Sequence, residues 1–256
     1  YNPALHHGVA LLSRLSGWTA QHAYHFVTAA TYSLGPITLF WMSYRFTRRH
    51  GWALLTALLY SLISPSAFLV TAFRIDNGGL FGPRRLQTLV HYGEGPHVTA
   101  LMLIPLVIWL IDEAAAKRRW VFLPLAAIAV AAVPLTNWTG TTGLLMALPA
   151  YVIARWGSDR PLHWPTFIGI GVIAYSLASY WLPPSLIRTV QASAVNLDIV
   201  TPTTEKAAIV AFIVIVLLTL HFLFQRRSAP VLLRFFSYFA VITGTAVLSK
   251  MWFGRV

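Results

Sequence analysis

The feature that most constrains this chain is its division into long apolar stretches separated by short polar segments. The apolar stretches cover roughly residues 22–44, 52–73, 97–111, 120–135, 141–154, 165–182, 207–224 and 231–251. A helix that crosses a bilayer needs about 20 predominantly apolar residues. The pattern therefore predicts an all-α, polytopic integral membrane protein with about eight transmembrane helices, in one transmembrane domain over residues 1–256.

The scarcity of charge supports this fold class and excludes a soluble domain. Charged residues make up 10% of the chain and hydrophobic residues 57%, whereas a soluble domain carries about 25% charged residues. The formal net charge of +12 does not indicate nucleic-acid binding, because the cations cluster at the ends of apolar stretches, where they set membrane orientation. The chain has no cysteine, which excludes disulfides and thiolate chemistry.

The basic clusters predict which face of the membrane each polar segment occupies. Cytoplasmic loops are enriched in Lys and Arg, which places four clusters on the cytoplasmic side: Arg45, Arg48 and Arg49; Lys117, Arg118 and Arg119; Arg155 and Arg160; Arg226, Arg227 and Arg234. Three segments then lie on the outer face: residues 1–21, 74–97 and 183–206. We predict a bacterial inner-membrane protein whose active face is periplasmic; in a eukaryote that face would be lumenal.

The first outer segment is short and amphipathic. Leu5, Val9, Leu12 and Leu15 recur at helical spacing, so we expect a helix that lies in the membrane interface rather than crossing it. Because the chain begins with Tyr1 rather than Met, we expect it to be a fragment of a longer protein.

The second outer segment, residues 74–97, is the main candidate site, and we call it the polar loop. Its sequence, RIDNGGLFGPRRLQTLVHYGEGPH, gathers charged residues between glycines and prolines. Glu94 stands between two glycines just before an apolar stretch. One interpretation is that its carboxylate is a general base or a metal ligand. The other is that it is a loop carboxylate paired with Arg84 or Arg85. Glu94, His91 and His97 are also possible ligands of a divalent metal, although their spacing does not match a zinc-binding helix; hydrogen bonding to the loop backbone is the alternative.

The other charged residues of the polar loop also have two interpretations. Arg84 and Arg85 are candidate phosphate ligands, because arginine binds phosphate in a bidentate manner and stays charged; the alternative is pairing with anionic lipid headgroups. Asp76 is a candidate catalytic acid or metal ligand, but the sequence Asp-Asn-Gly-Gly slightly favours a turn. No metal is required by the sequence, and a divalent ion is the only cofactor considered.

The segment YNPALHHGVALLSRLSGW, followed by a stretch that ends in RFTRRHG, resembles multi-pass glycosyltransferases of the GT-C superfamily. The segment RRLQTLVHYGEGPH resembles bacterial membrane proteins described as related to pyruvoyl-tetrahydropterin synthase. The resemblance to GT-C enzymes implies transfer of a sugar from a polyprenyl-phosphate donor to an acceptor on the outer face. In that family the key acid follows the first membrane helix, a region that we expect to precede this chain.

The resemblance also implies roles for individual residues. Glu94, or Asp76, would assist the base or hold a metal; Arg84, Arg85 and Arg74 would hold the lipid phosphate. The acceptor side would be lined by aromatic and imidazole groups: His91, Tyr92, His97, His6 and His7. The expected partners are a polyprenyl-phosphate-linked sugar and membrane lipids, with no nucleic acid. Two other functions stay open, a transporter or flippase for an anionic lipid or solute, and a structural membrane subunit.

Overall fold

The computed structural model describes residues 3–63, 67–68, 71–189 and 203–253. Within these residues all regular structure is helical, which confirms the predicted all-α class. We number the helices in chain order: α1 Pro3–Ser16, α2 Ala20–Thr47, α3 His50–Leu62, α4 Thr71–Asp76, α5 Arg84–Val90, α6 Gly95–Ile111, α7 Phe122–Thr136, α8 Trp138–Arg155, α9 Trp164–Ala178, α10 Thr203–Arg226 and α11 Val231–Phe253. A π-helical turn, Asp112–Ala116, continues α6.

Each predicted apolar stretch coincides with a helix, although one boundary differs. The second stretch was expected to run to residue 73, but α3 ends at Leu62. Among the described residues, two helical segments are long and apolar enough to cross a membrane by length and composition, Gly95–Ala116 and Ala207–Arg226. This number is smaller than the eight predicted spans, because several of the apolar helices have 15 residues or fewer.

Helices α2, α6 and α8 form the centre of the bundle and run parallel to one another. Hydroxyl groups of Thr31 and Thr99 lie 2.9 Å apart near the starts of α2 and α6, and the Trp41 and Trp109 rings are 6.0 Å apart near their ends. Gly140, at the start of α8, packs directly on Ala100. Small residues at these crossings let the helix backbones approach closely.

The remaining long helices connect the two ends of this parallel core. Helix α7 returns antiparallel to α6, beginning where the Phe122 ring packs on Trp109 at 5.9 Å. Helix α9 starts at the same end, where its N-cap residue His163 donates its backbone N–H to the carbonyl of Ala115 at 2.9 Å. Helix α11 lies along α8, and its Phe235 and Tyr238 belong to the same buried apolar core as Leu144 and Tyr151.

The bundle therefore has two chemically different ends. The polar-loop end holds α1, the polar loop and the starts of α2, α6 and α8. The basic end holds the ends of α2, α6, α8 and α10 and the start of α11. The four basic clusters of the sequence meet at this second end. Arg45 and Lys117 pair with Glu113, Arg155 pairs with Asp112, and Arg234 of the fourth cluster lines the same cavity as Arg45, Lys117 and Arg155.

Candidate functional site

The polar loop folds into two short helices joined by a turn that needs glycine. After α4 ends at Asp76, Gly78 and Gly79 adopt positive φ angles of 70° and 133°, a region that favours glycine. The Asn77 side-chain amide donates to the carbonyls of Gly79 at 3.2 Å and Gly82 at 2.6 Å. The predicted turn thus forms, and it turns the chain back so that α5 can pack beside α4.

Asp76 links the two halves of the polar loop. Its carboxylate accepts hydrogen bonds from the Tyr92 hydroxyl at 2.7 and 2.8 Å and is paired with the Arg84 guanidinium. Arg84 also lies over the rings of Phe73 and Tyr92, 5.2 and 5.3 Å from their centroids. The Tyr92 hydrogen bond, followed by the one from Arg84, lowers the pKa of Asp76 below its ordinary value, so Asp76 is an anion at neutral pH.

The two adjacent arginines of the loop have different environments. Arg84 faces Asp76 near the surface, whereas Arg85 is 8% exposed. Arg85 donates to the carbonyl of Tyr32 at 2.7 Å, and its guanidinium lies 4.6 Å and 4.3 Å from the ring centroids of Tyr32 and Tyr60. These contacts anchor α5 against α2 and α3.

Glu94 is exposed and is paired with neither arginine. Gly93, with φ of 66°, turns the chain sharply, and Glu94 becomes the residue that caps α6 through its backbone. Its carboxylate makes no hydrogen bond or ion pair with the part of the chain that the structure describes. Of the two interpretations of Glu94, the geometry therefore supports the one in which its carboxylate is available to a ligand.

The histidines of the loop lie close in sequence to Glu94 but do not form a metal site with it. The exposed His91 ring packs edge-on against Tyr92 at 4.9 Å, and the half-buried His97 lies on the first turn of α6. Within the described ranges, no group of three or more histidines or carboxylates is arranged to hold a metal ion. The turn at Gly93 explains the absence of such a group, because the chain changes direction between His91 and the start of α6.

The remaining predicted residues also lie at the polar-loop end. Arg74 is exposed on α4, two residues before Asp76. His6 and His7 are exposed on α1, and His7 Nδ1 lies 2.7 Å from the carbonyl of Pro3. Helix α1 is held at this end because Leu5 and Val9 pack against Ala23 at the start of α2. Most of the outer segment 183–206 falls on residues 190–202, which lie outside the described residues.

The sequence analysis did not single out the most buried charged group of the described structure. Asp112 and Glu113 are 1% and 0% exposed. Glu113 accepts hydrogen bonds from Arg45 at 3.0 Å, Trp109 at 3.1 Å, Lys117 at 2.8 Å and Arg119 at 3.1 Å. Asp112 is paired with Arg155 and with Lys117 at 3.2 Å, and it accepts from the Tyr151 hydroxyl at 2.9 Å.

The π-helical turn explains how two consecutive carboxylates can both be buried. In it the Lys117 N–H donates to the carbonyl of Asp112 at 3.0 Å, five residues earlier rather than four. A π turn holds one residue more than an α turn, and such turns are frequent at functional sites. The sequence did contain a signal for this pair, since two of only seven acidic residues directly follow an apolar stretch. At such a position an ionisable group is energetically unfavourable unless it is paired.

Comparisons with known protein families, with curated proteins and with solved structures found no match to this chain. The chemistry assigned to the polar loop and to the basic end therefore rests on the contacts described above. The two ends offer different chemistry: an exposed carboxylate and exposed cations in one folded loop at the polar-loop end, and a dense network of paired charges at the basic end.

Proposed function

We propose that the chain is a polytopic protein of the bacterial inner membrane, with the basic end in the cytoplasm and the polar loop in the periplasm. The support comes from α10, whose segment Ala207–Arg226 has a mean hydropathy of 2.8 and no buried residue. An apolar face of this length is not stable against water and marks a membrane or protein contact. Lipid is the simplest partner, because exposed apolar side chains also occur on α2, α3 and α9.

We propose that the protein transfers a sugar from a polyprenyl-phosphate donor to an acceptor at the polar loop. The observation that carries this proposal is the exposed carboxylate of Glu94, which pairs with none of the described residues and lies in the same folded loop as Arg74. Arg74 lies two residues from Asp76 and Glu94 two residues from Tyr92, and the Asp76–Tyr92 hydrogen bond joins the two segments.

In the proposed reaction Glu94 acts as the general base. It takes the proton of an acceptor hydroxyl while the acceptor oxygen attacks the anomeric carbon of the sugar, and the bond from that carbon to the phosphate oxygen breaks. The electron pair of the broken bond stays on the phosphate, which leaves as polyprenyl phosphate. The developing charge is stabilised by cations already in place.

In this proposal the other charged residues of the polar loop have different roles. Arg74 and Arg84 hold the phosphate, and Asp76, fixed as an anion, positions Arg84 rather than exchanging protons. Arg85 holds α5 on the bundle through Tyr32 and Tyr60. The acceptor is bound by aromatic and imidazole groups, namely the exposed His91, Tyr92, His6 and His7 and the half-buried His97.

The apolar centre of the bundle favours transfer over transport. Between the two ends lies a cavity of about 160 Å³ whose lining includes Leu39, Ile104, Ala147 and Phe239, with Tyr60 as its polar contributor. A transporter for an anionic solute needs polar groups along its path. This stretch of the described core offers no such path.

The test is an assay of the protein in nanodiscs with a panel of polyprenyl-phosphate sugars, with and without a divalent metal. Release of polyprenyl phosphate is measured for the parent and for Glu94→Gln and Arg74→Gln. We expect Glu94→Gln to lower the rate by about 10²–10⁴-fold, the usual contribution of a general base, and Arg74→Gln to raise the KM for the donor.

The control is Arg14→Gln, which removes an exposed cation from α1 at the same end. It should leave the rate and the KM unchanged. Parent-like turnover in Glu94→Gln would refute the assignment of the base, and absence of turnover with every donor would refute sugar transfer itself.

A further inference from the structure

A cavity of about 500 Å³ opens at the basic end of the bundle, remote from the polar loop. The ends of α2 and α8, the π-helical turn, the loop after α8 and the start of α11 contribute to its wall. Six cationic side chains line it: Arg45, Arg48, Lys117, Arg155, Arg160 and Arg234. Two carboxylates, Asp112 and Asp159, also line it.

Half of these cations are already neutralised. Arg155 and Lys117 pair with Asp112, and Arg45 pairs with Glu113 behind the wall. Arg48, Arg160 and Arg234 have no carboxylate partner among the described residues, and Asp159 forms no ion pair with them. The cavity therefore has an excess of positive charge that the described part of the protein does not balance.

Arg234 is the member of this group whose position most requires an anion. It is 5% exposed, and its Nε donates to the carbonyl of Ala229 at 2.8 Å. Its Nη1 is buried and has no hydrogen-bond partner within the described part of the chain, and the same holds for Nε of the 7% exposed Arg155. Buried donors are normally satisfied, and a buried charge without a counter-charge is strongly unfavourable.

The chemistry of the wall suits an oxyanion such as phosphate. Guanidinium groups match the geometry of phosphate oxygens and bind them in pairs. A volume of about 500 Å³ lies within the roughly 300–1,000 Å³ of small-molecule sites, so it has room for more than a bare phosphate. We propose that this cavity binds a phosphate-bearing ligand through Arg48, Arg160 and Arg234.

Two sources could supply that group, a soluble phosphorylated molecule or the headgroup of an anionic phospholipid. Inorganic pyrophosphate is the probe for the first source, and its affinity is measured by calorimetry on the protein in phosphatidylcholine nanodiscs. Nanodiscs with added phosphatidic acid are the probe for the second, and the shift in the unfolding temperature of the protein is measured. If pyrophosphate binds and phosphatidic acid does not weaken its binding, the ligand is a soluble molecule. If phosphatidic acid shifts the unfolding temperature and pyrophosphate does not bind, the ligand is a lipid.

The variants are Arg234→Gln and Arg160→Gln, with Arg227→Gln as the matched control. Arg227 is exposed on the same loop region but does not line the cavity. We expect the cavity variants to weaken pyrophosphate binding about tenfold or more, or to abolish the lipid shift, because each removes a charge-assisted contact. Arg160 is exposed, so its variant keeps the test informative if Arg234→Gln fails to fold.

The proposal is overturned if neither probe has an effect on the parent protein. It is also overturned if Arg227→Gln weakens binding as much as Arg160→Gln, because the effect would then be one of overall charge rather than of a site. Sugar-transfer activity does not enter this test, so its result is independent of the function proposed for the polar loop.

Discussion

At the scale of single residues, Glu113 is the side chain on which most of the buried charge network depends. Four side chains donate to its carboxylate, and three of them are cations. Removing one partner from a buried ion pair lowers the free energy of unfolding by more than the intact pair contributes to it, because the charges left behind stay desolvated. The network is therefore expected to tolerate loss of a surface member better than loss of its centre.

The corresponding variant is Glu113→Gln, which keeps the shape and removes the charge. We expect it to lower the free energy of unfolding by about 3–5 kcal/mol, measured by denaturation in detergent micelles. Asp159→Asn is the control: Asp159 is exposed and unpaired among the described residues, so its loss should change stability by less than about 0.5 kcal/mol. Equal effects of the two variants would contradict the network.

The Asp76 cluster gives the polar loop a predictable dependence on pH. Because hydrogen bonds from Tyr92 and Arg84 lower the pKa of Asp76 in the folded loop, ionised Asp76 stabilises the loop at pH values above its ordinary value of about 4. That stability is lost as the pH falls through the lowered pKa. We expect the protection factors of the α5 amides, relative to the unfolded chain at the same pH, to fall below about pH 4.

Two variants separate the partners of Asp76. The substitution Tyr92→Phe removes the largest cause of the lowered pKa of Asp76 and keeps the Arg84 contact. The pH at which the α5 amides lose protection from exchange should therefore rise. In Asp76→Asn the protection factors of the α5 amides should be low and should not change with pH in this range. A parent-like transition in Asp76→Asn would assign the pH dependence to another group.

Sequence reasoning at this scale located the polar loop but not the partners of its residues. It grouped Asp76, Arg84 and Arg85, and the glycine-rich turn formed as expected. It did not separate Arg84 from Arg85, since adjacent residues on a helix point in different directions and only the neighbouring helices decide which one is buried. It assigned no role to Asp112 and Glu113, since their burial depends on cations that are distant in sequence, such as Arg45 and Arg155.

At the scale of helices, the contact between α6 and α8 depends on a glycine. A β-carbon added at Gly140 would overlap the Ala100 side chain. We expect Gly140→Ala to destabilise the protein by about 1–3 kcal/mol, the usual cost of overpacking. The measurement is the same denaturation in micelles.

Gly171 of α9 is the matched control for this substitution. Nothing lies near the position of its β-carbon, so Gly171→Ala should leave stability unchanged or raise it by up to about 1 kcal/mol. If both alanine variants behaved alike, helix propensity rather than close packing would explain the glycines.

Helix positions were largely predictable because apolar length and flanking charge fix them. The apolar stretches predicted α2 and α6 to α11 with boundaries close to those observed. The end of α3 at Leu62 was not predicted, because the apolar composition continues to Phe73 and gives no sign of a stop. The π-helical turn was not predicted either, since it depends on the pairing of Asp112 and Glu113 rather than on local propensity.

At the scale of the whole molecule, the membrane orientation can be tested with single cysteines, because the chain contains none. Val90 and Val121 are both exposed, at 73% and 56%, and lie at the polar-loop end and the basic end. We expect a membrane-impermeant maleimide to label Val90→Cys in intact spheroplasts. Val121→Cys should be labelled only after the membrane is permeabilised.

These two variants control for each other, because both replace an exposed valine. Labelling of Val121→Cys alone in intact spheroplasts would reverse the proposed orientation. Labelling of both before permeabilisation would contradict a protein that crosses the membrane.

The overall arrangement was only partly predictable. The basic clusters predicted that residues around Arg45, Lys117, Arg155 and Arg234 share one face, and the structure brings them together at the basic end. That α2, α6 and α8 are direct neighbours could not be predicted, because many arrangements of helices satisfy the same alternation of loops. The choice among them depends on small residues such as Gly140 and Ala100.

The parallel direction of α2, α6 and α8 has an electrostatic consequence of its own. Each helix carries a dipole equivalent to about half a positive charge at its start and half a negative charge at its end. The antiparallel helices α7, α9 and α11 oppose these dipoles over long distances, so the effect is local to the first and last turns. At the polar-loop end the first turns of α2, α6 and α8 favour anions, and that of α6 directly follows Glu94. At the basic end the last turns of the same helices favour the arginines and lysines around the cavity.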